Sequence, residues 1–287
     1  MQTDTLKIVE CPRDAMQGLH DFIPTPKKID YLQSLLKVGF DTLDAGSFVS
    51  PRAIPQLQDT AEVISSLDLS ATKSKLLTIV ANQRGGEEAV KFDQITYLGY
   101  PFSISEEFQK RNTNKSIEES EGLVQDLVEL CDKHKKELVV YISMGFGNPY
   151  GEEWNVNIVE DWSSRLAEKG VKILSLSDTV GTSNPESITY LFSNLIPALP
   201  QVEFGAHLHT TPSTWHEKID AAYKSGCRRF DGAIKGFGGC PMAADDLVGN
   251  MPTEKLLSFG QEKGVLKDIN MLAFESAYNK ALQTFPM

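Results

Sequence analysis

Long apolar runs are missing from this chain. Nothing approaches the roughly 18 consecutive apolar residues that cross a bilayer, so no membrane span is expected. Cysteine is scarce too. Cys11, Cys131, Cys227 and Cys240 are widely spaced and form no CxxC pair. That argues against a zinc ribbon or a disulfide frame, and for reduced thiols in a cytoplasmic setting. Positive charge is in the minority: 28 lysines and arginines stand against 39 acids, a net charge of −11. This balance disfavours nucleic acid and anionic membranes as partners, and an anionic cofactor would need a local basic patch. No GxGxxG turn follows the first apolar run, where "CPRDAMQG" stands instead. An open dinucleotide-binding sheet is therefore the weaker architecture. The opening "MQTDTLKIVEC" reaches a strand within about five residues, which leaves no stretch for a signal or transit peptide.

What the chain does have is alternation. Strand-like runs stand at 6–11, 42–48, 74–81, 94–100, 137–143, 171–178, 202–209 and 227–234. Amphipathic segments separate them. In "PKKIDYLQSLLKVG" the residues Ile29, Leu32, Leu35 and Leu36 share one helical face. Gly39, Gly170 and Gly226 each close such a segment just before a strand, as left-handed helix stops. Eight strands alternating with helices, without a linker or composition break, predict one α/β domain over 1–287, a (β/α)8 TIM barrel. "NMLAFESAYNKALQTF" reads as an extra C-terminal helix packed outside.

In such a barrel chemistry gathers at the carboxyl ends of the strands. The unusual polar residues fall there. Arg13 and Asp14 follow strand one, Asp44 lies in strand two, Asp178 ends strand six, and His207 and His209 end strand seven. After strand eight comes a glycine-rich stretch with Cys240, followed by Asn250 and Glu254. Residues i and i+2 of a strand face the same way, so both histidines can reach one ion. A bare HxH is also compatible with strand-end hydrogen bonding, but Asp14 across the mouth favours the metal. Two imidazoles, a carboxylate and an amide oxygen suit Mg²⁺, Mn²⁺ or Co²⁺. Zn²⁺ is the competing ion, disfavoured because no cysteine sits at ligand spacing from the pair.

Several motifs in order carry a resemblance: "PRD" at 12–14, "SFVSP" at 47–51, "NKSIEES" at 114–120, "SLSDTVG" at 175–181, "HLH" at 207–209 and "GFGGCP" at 236–241, then "GN" and "TE" before residue 255. The chain resembles the 3-hydroxy-3-methylglutaryl-CoA lyases of the DRE-TIM metallolyase group. The resemblance implies metal ligands at Asp14, His207, His209 and Asn250. It also implies an enolate-stabilising Arg13, a catalytic Cys240 on a glycine-rich loop, and active-site acids at Asp178 and Glu254. Asp44 stands where these lyases carry glutamate, and Thr210 where an acidic residue usually follows the second histidine. A homodimer acting on an acyl-CoA is likewise implied.

The implied reaction cuts the C2–C3 bond of a 3-hydroxy-3-methylglutaryl thioester, giving acetyl-CoA and acetoacetate. The tertiary hydroxyl must lose its proton, and His207 and Asp14 are both offered as acceptors. A divalent cation acidifies that hydroxyl and orients it. A guanidinium suits the enolate, and losing such a donor typically costs ~3 kcal/mol. A largely protonated thiol can return a proton to carbon. Plainer readings stand beside these. Asp178 can cap a helix, Glu254 can be a first-turn residue, and "SIEE" (116–119) fits a capping box. Lys110, Arg111 and Asn114 offer a basic patch for CoA phosphates, against the plainer reading of a solvated surface. Cys11, Cys131 and Cys227 read as structural thiols, and His20, His134 and His216 as surface residues. On the same scaffold the alternative is a Claisen-type synthase or pyruvate-dependent aldolase; a non-catalytic barrel with a kept metal site is a third reading.

Overall fold

A computed structural model of the chain describes residues 4–239 and 249–285. Strand β1 (Lys7–Glu10) runs into a short helix, α1 (Pro12–Gln17), and then α2 (Thr25–Leu36). β2 (Thr42–Ser47), α3 (Thr60–Ser66), β3 (Lys75–Ile79), α4 (Gln83–Ala89) and β4 (Ile95–Ser103) continue the alternation. The pair α5 (Glu106–Thr113) and α6 (Ile117–Lys133) precedes β5 (Glu137–Ser143), α7 (Val156–Glu168), β6 (Ile173–Ser177) and α8 (Pro185–Ala198). β7 (Glu203–His207) is followed by a two-residue strand, β8 (His209–Thr210), then α9 (Trp215–Lys224) and β9 (Arg229–Gly232). A second two-residue strand, β10 (Gly249–Asn250), leads to α10 (Thr253–Lys263) and α11 (Met271–Thr284).

Eight of these strands close into a parallel barrel in the order β1-β2-β3-β4-β5-β6-β7-β9, with β9 pairing back onto β1. Every apolar run of the sequence supplies one barrel strand, because strands covered on both faces must be apolar almost throughout. Gly39, Gly170 and Gly226 all have positive φ, the backbone that ends the preceding helix without a Cβ clash. α6 starts on a capping box: Ser116 N donates to Glu119 Oε2 at 2.8 Å, and Glu119 N donates to Ser116 Oγ at 3.1 Å. α11 packs outside against α2, and Phe274 on α11 lies edge-on to Phe40 with ring centroids 6.5 Å apart.

The core has two shells. One lies between strands and helices and includes Leu43, Leu98, Leu127 and Leu191, where a truncation to alanine costs about 2–5 kcal/mol. The other fills the barrel itself with Leu77, Ile79, Tyr97, Val139, Tyr141 and Ile173. Gly99 on β4 is required by this inner packing, since a Cβ there would meet Ile79 Cδ1 at 2.6 Å.

The run 202–209 is not one strand: β7 ends at His207 and His209 opens β8, while β10 has no strand pattern in the sequence. β8 and β10 form an antiparallel ribbon at the barrel mouth that sets Asn250 opposite His209. The barrel rule delivers eight strand ends to the rim, but this ribbon delivers the last loop to the histidines.

Candidate active site

Four elements bring the metal candidates together. Asp14 sits in the first turn of α1, which Pro12 opens at its N-terminus. His207 ends β7, His209 begins β8, and their ring centroids lie 5.5 Å apart. Asn250 comes from β10 and donates through Nδ2 to Asp14 Oδ2 at 2.6 Å and to the Phe237 carbonyl at 2.9 Å. With the amide nitrogen committed, its carbonyl oxygen is the atom left for a cation. One ligand atom from each of Asp14, His207 and His209 lies within 4.8 Å of the others. Two imidazole nitrogens and hard oxygens in one cluster fit a divalent ion. Gly238, at φ +89°, lets the glycine-rich segment lie on this cluster: a Cβ there would meet the Asp14 carbonyl at 2.8 Å and Asn250 Nδ2 at 2.9 Å.

Arg13 is held beside the cluster by a carboxylate cage. Its Nε and Nη2 donate to Asp44 Oδ2 at 2.9 and 2.6 Å, and its Nη1 donates to Asp14 Oδ1 at 3.0 Å and Gln17 Oε1 at 2.8 Å. Four of the five guanidinium N–H groups are thereby used, leaving one on Nη2. Gln17 also donates to Asp14 Oδ1 at 2.7 Å. Burial opposes charge on Asp14, but Arg13, His207 and Asn250 outweigh it and hold the carboxyl below its ordinary range. Burial raises Asp44 to about 6 against the pull of Arg13. Burial works against a charged His207, yet Asp231 overcomes it and moves the imidazole upward. His209, buried and facing His207, is lowered to about 4.

These side chains line a cavity of about 300 Å³. Arg13, Asp14, Asp44, His207 and His209 form its polar end, and Ile79, Pro101, Phe108 and Tyr141 form much of its apolar wall. An apolar wall around few polar groups strengthens charge interactions by keeping water out.

Other expected site residues go elsewhere. Asp178 does not line the cavity. Ser183 N and Oγ donate to its two oxygens at 3.0 and 2.5 Å, and the buried Lys218 Nζ pairs with it at 2.8 Å. Lys218 also donates to the His209 carbonyl at 2.9 Å. Asp178 is thus held by Ser183 and Lys218, and the N-cap of α8 is Asn184. Asp178 anchors the backbone that carries His209. Glu254 is a first-turn residue of α10 and accepts from Lys235 N at 3.0 Å. Asn114 is the left-handed cap of α5, with φ 56°, so its backbone rather than its side chain explains the residue. Lys110 pairs with Glu106 at 3.1 Å on the surface. Arg111 does line the cavity, held by Glu107 at 2.6 Å. Cys240 lies outside the described residues.

A family model described as HMGL-like matches residues 6–280. The chain belongs to the HMGL-like family. It is 30% identical over 269 residues to hydroxymethylglutaryl-CoA lyase of Bacillus subtilis, spanning 93% of this chain and 88% of that one. It is 32% identical over 255 residues to the cytoplasmic 3-hydroxy-3-methylglutaryl-CoA lyase of Rattus norvegicus, spanning 88% and 73%. Among solved structures, an HMG-CoA lyase from A. baumannii in complex with coenzyme A and 3-methylmalate superposes with TM-score 0.90 at 28% identity, covering 99% of this chain and 92% of that one.

Within this HMGL-like barrel three polar residues escaped the reading of the sequence. Gln17 braces Asp14 and Arg13, Lys218 claims Asp178, and Asp231 meets His207. Asp231 carried a signal. It is an acid inside the last apolar run, the same feature that singled out Asp44. Cys11 is buried as expected of a structural thiol, and its Sγ is also within 4.8 Å of ligand atoms of His207 and Asp231.

Proposed function

We propose that this HMGL-like barrel cleaves 3-hydroxy-3-methylglutaryl-CoA, or a closely related 3-hydroxyacyl thioester, to acetyl-CoA and acetoacetate. One observation carries the reading: Asp14, His207 and His209 share the reach of a single ion, with Arg13 caged directly beside them. The relatives bear this activity in their names, and the A. baumannii enzyme holds coenzyme A together with a branched hydroxy acid.

Asp14, His207, His209 and Asn250 would hold the divalent cation, Mg²⁺ or Mn²⁺ by its donor set with Zn²⁺ the poorer fit, and when bound it supplies Lewis acidity to the substrate hydroxyl. Asp14 and His207, both offered as acceptors of the hydroxyl proton, line the cavity; an imidazole nitrogen given to the cation has no lone pair left for a proton, which favours Asp14. As the C2–C3 bond breaks, its electron pair becomes the thioester enolate and the hydroxyl carbon becomes the ketone of acetoacetate. The free Nη2 hydrogen of Arg13 stabilises the enolate, and Asp44 keeps the guanidinium in place. Cys240 returns the proton to carbon in this reading. Asp44 and Asp178 act through Arg13 and His209, while Glu254 braces the start of the glycine-rich segment through Lys235. Arg111 is the cation placed for an anionic group of CoA, and Lys110 and Asn114 serve the local helix. We read 1–287 as one catalytic domain, cytoplasmic and homodimeric.

The test is a coupled assay for acetoacetate released from hydroxymethylglutaryl-CoA with Mg²⁺ or Mn²⁺, with and without chelator. Release that vanishes on chelation and returns with metal is expected. Metal-saturated protein that cleaves neither this thioester nor longer 3-hydroxyacyl analogues would refute the reading.

A further inference from the structure

Beneath the paired imidazoles the barrel interior holds two charges that the reaction above does not use. Asp231 on β9 is buried, and its Oδ2 lies 3.1 Å from His207 Nδ1. Its other oxygen makes no hydrogen bond among the described residues. Two positions earlier, on the same interior face of β9, Arg229 is 1% exposed. None of its three guanidinium nitrogens makes a hydrogen bond among the described residues. Its nearest acids, Asp41 and Glu203, stand 3.6 and 4.0 Å away at the barrel floor.

We propose that Asp231, with Arg229 as its counter-charge, is a positioning residue that keeps the His207 proton on Nδ1 and turns Nε2 toward the ion. The inference rests on reading His207 as a metal ligand. A neutral imidazole has one donor and one acceptor nitrogen, and an ionised carboxylate can only accept. The nitrogen facing Asp231 must therefore carry the hydrogen, and the lone pair falls on the nitrogen at the other side of the ring. One ligand atom of His207 lies within 4.8 Å of ligand atoms of Asp14 and His209, and with Nδ1 engaged by Asp231 the Nε2 lone pair is the one left for that group. Cys11 is the other group in reach, but its Sγ is directed to the Val9 carbonyl at 3.6 Å. A buried acid with an unbonded oxygen is costly, and so is a buried guanidinium without hydrogen bonds. Each offsets the other's charge along β9. Neither satisfies the other's hydrogen bonds, which is what a purely structural ion pair would do. His209 is oriented differently, by the neutral backbone of Thr179. The two ligands thus differ in basicity: the carboxylate-backed imidazole is the stronger donor to a cation.

The experiment has two readouts that a merely structural acid would leave unmoved. Ring ¹⁵N spectra of metal-free protein, with His207 assigned by difference against His207→Ala, are expected to show the Nδ1–H tautomer. In Asp231→Asn that fixed tautomer is lost, and the Mn²⁺ dissociation constant rises about 10–100-fold. Should Asp231→Asn fold poorly with Arg229 short of one counter-charge, the neutral pair Arg229→Met/Asp231→Asn removes both charges together and is expected to show the same loss of Mn²⁺ affinity. A wild-type His207 protonated on Nε2, or unchanged Mn²⁺ affinity in the folded variants, overturns the inference. His207→Ala separates the two readings. If it weakens Mn²⁺ binding while the Asp231 variants do not, only the inference about Asp231 fails; if it too leaves Mn²⁺ binding unchanged, the ligand assignment fails with it.

Discussion

Asn250 and Asp14 share a hydrogen bond across 236 residues of sequence, whereas Lys110 and Arg111 pair with glutamates four residues away on their own helix. The first arrangement exists only once the barrel has closed and β10 has met β8. The second exists wherever α5 is helical. Long-range bonds between buried groups hold a geometry within tenths of an ångström, because no solvent competes for the partners. Exposed pairs at i,i+4 are worth a few tenths of a kcal/mol and fix little. The ion-binding end is built for precision and the rim for solubility and adjustable contact. Each side of that contrast can be tested by removing one member.

The largest effect belongs to Arg13. Replacing it with Met takes away the caged guanidinium at the polar end and leaves Asp44 and Asp14 without their shared cation. We expect kcat to fall about 10²–10³-fold, the magnitude typical of losing one oxyanion donor, with steady-state kinetics as the readout. Arg13→Lys should rescue little, since an ammonium cannot reproduce the fork that meets Asp44 through Nε and Nη2. Full activity in either variant would break the assignment of enolate stabilisation to this residue.

Next comes Asn250. In Asn250→Ala, Asp14 loses its 2.6 Å partner and the ribbon loses the side chain opposite His209. Calorimetric titration with Mn²⁺ should show affinity weakened at least about tenfold. Unchanged binding would mean that β10 arranges backbone without contributing a ligand.

How much of this was legible beforehand follows the same division by sequence distance. The eight barrel strands, the helix stops and the Ser116 capping box are local or periodic features, and they stand where the pattern places them. The histidines and Asp14 were legible because barrel architecture sends strand ends to one rim. Asp178 shows where that reasoning stops. An acid at a strand end looks catalytic until Lys218, 40 residues later, is found buried against it. Asp231 is the converse case: an acid inside the last apolar run, it stands out as Asp44 does, but that its partner is His207 on the neighbouring strand is visible only in the fold. The β8–β10 ribbon joins the end of one strand-like run to a pair of residues with no β-pattern of their own.

A smaller and pH-dependent effect is expected at Glu10, which is fully buried under Thr253 and the Ile234 amide. Burial raises its carboxyl from 4.5 to about 8. Between those values the folded chain keeps a proton that the unfolded chain has released. The stabilising contribution is therefore complete below about 4.5 and is lost as the pH rises through 8. Glu10→Gln can accept from Ile234 N and donate to Thr253 without ever ionising. Its melting temperature should match the parent near pH 5 and exceed it by several degrees near pH 8.5, at about 2–4 °C per kcal/mol. A constant difference across that range would show that Glu10 does not titrate on folding.

The rim gives the smallest changes and the sharpest test of its two cations. Lys110 is exposed and pairs with Glu106, so Lys110→Ala should shift stability by no more than a few tenths of a kcal/mol and leave KM unchanged. Arg111 is bound just as locally, to Glu107, but it also lines the cavity and lies 4.9 Å from the Tyr150 ring. Arg111→Ala should raise KM for the CoA thioester a few-fold at constant kcat, because a cation that meets a remote part of the substrate contributes equally to ground and transition states. Raising the salt concentration should narrow the difference between parent and Arg111→Ala, as screening weakens an exposed ion contact. An equal change of KM in both variants would mean that the rim acts through its net charge rather than through the Arg111 guanidinium that lines the cavity.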